Sequence, residues 1–157
     1  MRIAVVSDTH GDAWAIAACI RAAGAVDAWI HLGDYYMDAK SFATGGKPVV
    51  AVCGNMDALS AGPRERVVEL GGKRIFLCHG HSYGVKLNLQ RINLRARELE
   101  CEAALFGHTH VPFLDEEGDI LLLNPGSPSQ PRGGSRRSMG LLTIQGNALE
   151  GELLPLP

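Results

Sequence analysis

Three short apolar runs open this chain, and each stops abruptly at a polar side chain able to hold a proton or a metal ion. Residues 3–6 end at Ser7-Asp8, residues 28–32 at Gly33-Asp34, and residues 49–53 at Gly54-Asn55. Runs this short, rich in β-branched residues and closed by turn formers, read as buried strands. Between the first two, Asp12 caps a helix with an apolar face of Trp14, Ile16, Ala17 and Ile20, and Gly24 closes it. A weaker helical segment over 37–43 is broken by Gly45-Gly46-Lys47-Pro48. This β-α-β-α-β opening predicts a parallel sheet with crossover helices. Such sheets assemble their sites beyond the carboxyl ends of the strands, so the polar stops converge on one edge.

The pattern then changes. Residues 65–70 and 73–78 flank Gly71-Gly72, a two-residue hairpin signal. Val85, Leu89, Ile92, Ala96 and Leu99 fall on one helical stripe, with Arg91, Arg95, Arg97, Glu98 and Glu100 on the opposite side. A short strand over 103–106 meets Gly107-His108-Thr109-His110. Beyond it, residues 111–114, 120–123, 141–145 and 148–153 read as antiparallel β-structure, the last two joined at Gly146-Asn147. Residues 125–138 form one long Pro/Gly/Ser-rich loop carrying Arg132, Arg136 and Arg137. With no linker or repeat in 157 residues, a single domain spanning 1–157 is expected.

Composition sharpens the functional reading. The formal net charge of −2 excludes a global basic field, hence bulk nucleic-acid binding. Cys19, Cys53, Cys78 and Cys101 form no C-x-x-C pair and lie in apolar stretches. That excludes zinc-finger and thioredoxin-like motifs and fits a reducing, cytoplasmic setting. No run reaches the length of a membrane span or a signal peptide. Six histidines in 157 positions give roughly a quarter of an H-x-H pair by chance, yet there are two, His79/His81 and His108/His110. Alternate residues of an extended chain point the same way, so each pair can present two ligands together. Taken singly, a strand-end His, a cap Asp and a turn Asn each have a structural explanation. Those explanations must all hold at once, and they leave the shared sheet edge unexplained.

Ser7-Asp8-Thr9-His10-Gly11, Gly33-Asp34, Gly54-Asn55-Met56-Asp57, His79-Gly80-His81 and Gly107-His108-Thr109-His110 occur in that order. Together they resemble the motif series of calcineurin-like metallophosphoesterases, in particular the small single-domain prokaryotic phosphodiesterases. Asn124-Pro125-Gly126-Ser127 resembles that subgroup's loop after the last motif. The resemblance implies a four-layer αββα sandwich of mixed sheets, parallel in its N-terminal half and antiparallel in its C-terminal half. It also implies a dinuclear centre, with Asp8, His10 and His110 on one ion, Asn55, His79 and His108 on the other, and Asp34 bridging. Such oxygen and imidazole ligands suit Mn²⁺, the first expectation, or Fe, Zn²⁺ or Ni²⁺. Two such ions clamp a phosphoryl group and activate a bridging hydroxide for in-line attack. Asn55 would in addition donate a hydrogen bond to the substrate phosphate. The substrate would be a small or nucleotide-like phosphate ester, with no membrane involvement; exposed edge strands leave room for a homodimer.

One departure stands out. Larger members of the family carry a His after the Gly-Asn pair as proton donor to the leaving group, and here Met56 stands there. His81 is the candidate replacement acid, with packing or substrate contact as its other readings. Asp57 either orients a ligand such as His10 or starts the next loop. Arg132 and Arg136 either reach the substrate phosphate or are solvated, and His31 reads as structural.

Gly80-His81-Ser82-Tyr83-Gly84 matches the serine-hydrolase elbow. No His follows His110 to complete a triad, and that reading leaves Asp8, His10, Asp34 and Asn55 idle. There is no Walker A or dinucleotide-binding glycine motif. The remaining alternative is a non-catalytic protein-interaction scaffold of the same fold, like a retromer subunit.

Overall fold

The computed structural model describes residues 1–157. Two five-stranded sheets are stacked face to face. In the first, β1 (Arg2–Val6) runs parallel to β2 (Ala28–His31), and β2 parallel to β3 (Val49–Ala51). β4 (Glu65–Leu70) and β5 (Lys73–Cys78) pair as the predicted hairpin in the second sheet, which also holds β6 (Ala103–Leu105), β7 (Pro112–Asp115) and β8 (Leu121–Pro125). The chain returns to the first sheet through β9 (Ser138–Gln145) and β10 (Ala148–Pro155). Strand orders are β10-β9-β1-β2-β3 and β4-β5-β6-β8-β7.

Alternation along the strands builds the layers. Ile3, Val5, Ile30, Leu77, Leu105, Leu123 and Leu142 meet between the sheets. On the outer face of the first sheet, Ala4, Val6 and Trp29 pack with Ile16 and Cys19 of α1 (Ala13–Ala23). On the outer face of the second, Phe76, Cys78 and Ala104 pack with Ile92 and Ala96 of α2 (Gln90–Glu98). The result is the expected four-layer αββα sandwich of two mixed sheets. Asp12 caps α1 by accepting from the Ala15 N–H at 3.0 Å, and Gly24 ends it at φ 61°.

Three expectations need adjustment. β6 is parallel to both β5 and β8, so the C-terminal half is antiparallel only at β7–β8 and β9–β10 and where β9 joins β1. The uninterrupted burial of β8 is what a central strand requires, whereas β7 opens with a proline and lies at the edge. α2 starts at Gln90 rather than near Val85, because Gly84 turns left-handed and the Asn88 side chain accepts from the Gln90 N–H. Val85 and Leu89 keep their place in the apolar cluster. The segment before Gly45-Gly46 is a 3₁₀ helix, Tyr36–Phe42.

Because β1, β2, β3, β5 and β6 are parallel to a neighbour within each sheet, their polar stops lie at carboxyl ends. Asp8, Asp34, Asn55, His79 and His108 all follow such ends.

Candidate metal centre

The centre is built around Asp8, which is fully buried. Its Oδ2 accepts from Ser7 Oγ at 2.7 Å and from the His108 N–H at 3.0 Å. Its Oδ1 has no hydrogen-bond partner. That oxygen faces three imidazole nitrogens: Nε2 of His110 at 3.2 Å, of His79 at 3.7 Å and of His10 at 4.0 Å. The backbone carbonyl of Asp8 is held from behind by the hydroxyls of Ser127 at 2.8 Å and Ser129 at 3.0 Å.

Two of those histidines have their tautomer set by the chain. His79 Nδ1 donates to the Leu32 carbonyl at 2.8 Å, and His110 Nδ1 donates to the Gln130 carbonyl at 2.7 Å. With Nδ1 committed to a carbonyl, each ring turns its Nε2 inward, the orientation in which imidazoles bind metals. His79 Nε2 is buried, unpartnered, and 3.5 Å from Asp34 Oδ1. Lone pairs facing carboxylate oxygens in a buried site repel unless a cation lies between them.

The remaining predicted ligands converge on the same place. One donor atom each from Asp8, His10, Asp34 and His110 lies within 4.8 Å of the others. Asp34, Asn55 and His108 line the same cleft as His10 and His110, a cavity of about 340 Å³. His108 packs edge-on against His79 with ring centres 5.1 Å apart. Burial, assisted by His79 and Lys86, holds His108 down to about 4, so it is neutral and free to coordinate at neutral pH. For His110 burial pulls the other way, yet contact with Asp8 leaves its pKa above the ordinary value. An oxygen and imidazole donor set with orphaned, inward-facing Asp8 Oδ1 and His79 Nε2 fits one or more divalent ions.

Backbone strain is concentrated here. Asp8, His10, Asp34, Tyr35, His108 and His110 all have φ between 45° and 69°, and Glu100 is the only other non-glycine residue with positive φ. L-residues adopt this region at a cost that tends to be met at functional sites. Gly54 follows from the same crowding: a Cβ there would collide with Asp34 Oδ1.

The structure assigns other sequence candidates differently. Asp57 does not touch His10; its oxygens accept from the Tyr36 and Gly54 N–H groups, both at 2.8 Å, tying the Asp34 loop to the Asn55 loop. His81 does not line the cleft. Its Nε2 lies 3.3 Å from the Arg64 guanidinium and so accepts, and burial, His79 and Arg64 lower its pKa. Its ring lies beside those of His79 and His108, with centres 5.6 and 6.0 Å apart. Arg132 lines the cleft, whereas Arg136 is exposed and does not. Arg137 lies over the Trp14 ring, 5.2 Å from its centre. His31 is structural as read: Gly33 donates to its Nδ1, and its Nε2 bonds Thr9 Oγ1 at 2.9 Å.

Sequence reasoning passed over Lys86, which lines the cleft, and Asp38, which accepts from Thr9 Oγ1 and the Gly11 N–H, both at 2.7 Å, on either side of His10. It also passed over Arg64. None of these belongs to a local motif; Asp38 alone carried a signal, as an acid at a helix start.

Two mixed sheets that gather aspartates and histidines at carboxyl strand ends define a metallophosphoesterase. The chain belongs to the calcineurin-like phosphoesterase superfamily, whose domain model matches residues 1–147. It is 37% identical to the probable metallophosphoesterase MJ0623 of Methanocaldococcus jannaschii, across 99% of this chain and 82% of that one. A crystal structure from Streptococcus pneumoniae, of a conserved protein described as a predicted phosphoesterase, superposes with a TM-score of 0.82. The two are 37% identical over 98% of this chain and 88% of that one. Phosphodiesterase YfcE of Escherichia coli is 36% identical over 60% of this chain and 52% of its own. The structure of YfcE, described as a phosphoesterase, gives a TM-score of 0.71 over 95% of this chain and 91% of that one, at 27% identity.

Proposed function

We propose that this chain, as one domain over residues 1–157, is a dinuclear metal-dependent phosphodiesterase. The observation that carries the reading is the pair of buried, unpartnered atoms Asp8 Oδ1 and His79 Nε2, facing each other at 3.7 Å. Asp8, His10 and His110 would hold one divalent ion, Asn55, His79 and His108 the other, and Asp34 both, with Mn²⁺ the first candidate and Fe, Zn²⁺ or Ni²⁺ the others. Such ions, when bound, supply a hydroxide nucleophile at neutral pH and neutralise charge on the phosphoryl oxygens.

The chain's own residues do the rest. The carbonyls of Leu32 and Gln130 accept from Nδ1 of His79 and His110 and so orient their Nε2 atoms inward. Asp38 and Asp57 hold the strained loops on which His10, Asp34 and Asn55 are mounted. The Asn55 amide, exposed on the cleft, donates to an oxygen of the scissile phosphate, and Arg132 lines the same cleft. Met56, at the position of the larger enzymes' acid, cannot donate a proton. Diesters with good leaving groups are therefore preferred.

The four cysteines are free and buried, which fits a cytoplasmic enzyme. No helix is long and apolar enough to cross a membrane. The test is a screen of purified protein with added Mn²⁺ against phosphomonoesters, cyclic nucleotides and diesters. Turnover highest on activated diesters supports the proposal; no turnover on any of them returns the chain to the scaffold alternative.

A further inference from the structure

Two cations line the cleft with no acidic partner. Lys86 and Arg132 both border it, and neither takes part in any ion pair of the molecule. They come from different parts of the chain. Lys86 follows the turn after β5, whereas Arg132 lies in the β8–β9 loop, anchored by its N–H to the His110 carbonyl at 3.1 Å. Both border the same cleft as His10, His108 and His110.

The only acid lining the cleft is Asp34, with Asp8 buried behind it. If the centre holds divalent ions as proposed above, these already outweigh both carboxylates, and one diester anion needs no further cations. A cleft of about 340 Å³ is in the range of sites that enclose a whole small molecule rather than one phosphate group. Guanidinium and ammonium groups in such a place match the oxygens of a phosphate monoester.

We propose that Lys86 and Arg132 form a subsite for a second phosphate group, so that the natural substrate is a phosphodiester whose organic part carries a further phosphate. This inference rests on the phosphodiesterase reading for the scissile group, but the subsite itself can be tested by binding.

The experiment is calorimetric titration of Mn²⁺-loaded protein with adenosine 5′-monophosphate and with adenosine 3′,5′-bisphosphate. It is run on wild type, on Lys86→Ala, on Arg132→Ala and on the double variant. Both side chains are exposed and make no ion pair, so the variants are expected to fold. Wild type should bind the bisphosphate about tenfold more tightly, each single variant should lose about threefold of that preference, and the double variant should bind the two within about twofold. Equal affinities in wild type, or a preference that survives in the double variant, overturn the subsite. Hydrolysis of bis(p-nitrophenyl) phosphate by wild type separates the two claims. Turnover without the bisphosphate preference rejects the subsite and leaves the enzyme reading standing; the preference without turnover does the reverse.

Discussion

His79 Nε2 and Asp8 Oδ1 stand 3.7 Å apart, both buried and neither with a hydrogen-bond partner. His79 Nδ1 donates to the Leu32 carbonyl, which fixes the ring with Nε2 turned towards Asp8. A cation resolves this contact, and a bound metal has consequences for stability as well as turnover.

Metal binding should stabilise the fold. At a free Mn²⁺ concentration about a hundredfold above its dissociation constant, the gain is about 2.7 kcal/mol. For a chain of this size that is an increase in Tm of about 5–10 °C. Asp34→Ala should remove most bound metal and abolish the increase; unchanged metal content, read by elemental analysis, counts against the bridging role.

Asp57 acts through the loops it joins. Asp57→Ala frees the Tyr36 and Gly54 amides and should lower metal affinity about 10- to 100-fold, as loss of an outer support typically does. Asp57→Asn, which keeps one acceptor, should recover part of it. Metal titration distinguishes this from a general loss of stability, which both variants would show equally in urea.

Gly54→Ala should be more harmful than its size suggests. The added methyl meets Asp34 Oδ1 and the Asp34 backbone, so the Asp34 carboxylate must move. The expected result is a folded protein with reduced metal content. A full complement of metal would show that the crowding is relieved elsewhere.

His31 should contribute a pH-dependent term. Burial, only partly offset by Asp38 and Asp8, holds it down to about 4, against 6.5 when unfolded. Between those values the unfolded chain binds the extra proton, so stability rises with pH across that window and falls as pH drops through it. The full effect is about 3 kcal/mol. In metal-free protein, His31→Gln should flatten the stability profile between pH 4 and 6.5 relative to wild type; identical slopes would refute the assignment.

Much of this was legible in the sequence because strand ends and metal ligands share one signal, an apolar run stopped by Asp, Asn or His. Asp8, Asp34, His79 and His108 were visible on that ground. The parallel pairing of β6 with β8 was less so, since partner choice depends on which run can be buried on both faces. The supports were hidden for a different reason. Asp38 acts on the Gly11 amide 27 residues away and Asp57 on the Tyr36 amide 21 residues away, and Lys86 lines the cleft without belonging to any local motif. The contact of His81 with Arg64 was not legible either, since it depends on a 3₁₀ turn, His81–Tyr83, and on a residue 17 positions away.

The most direct test is hydrolysis of bis(p-nitrophenyl) phosphate by wild-type protein stripped with chelator and then reloaded with Mn²⁺. Activity should vanish on stripping and return on reloading. Activity indifferent to the chelator, or absent with Mn²⁺ bound, would contradict a metal-dependent phosphodiesterase.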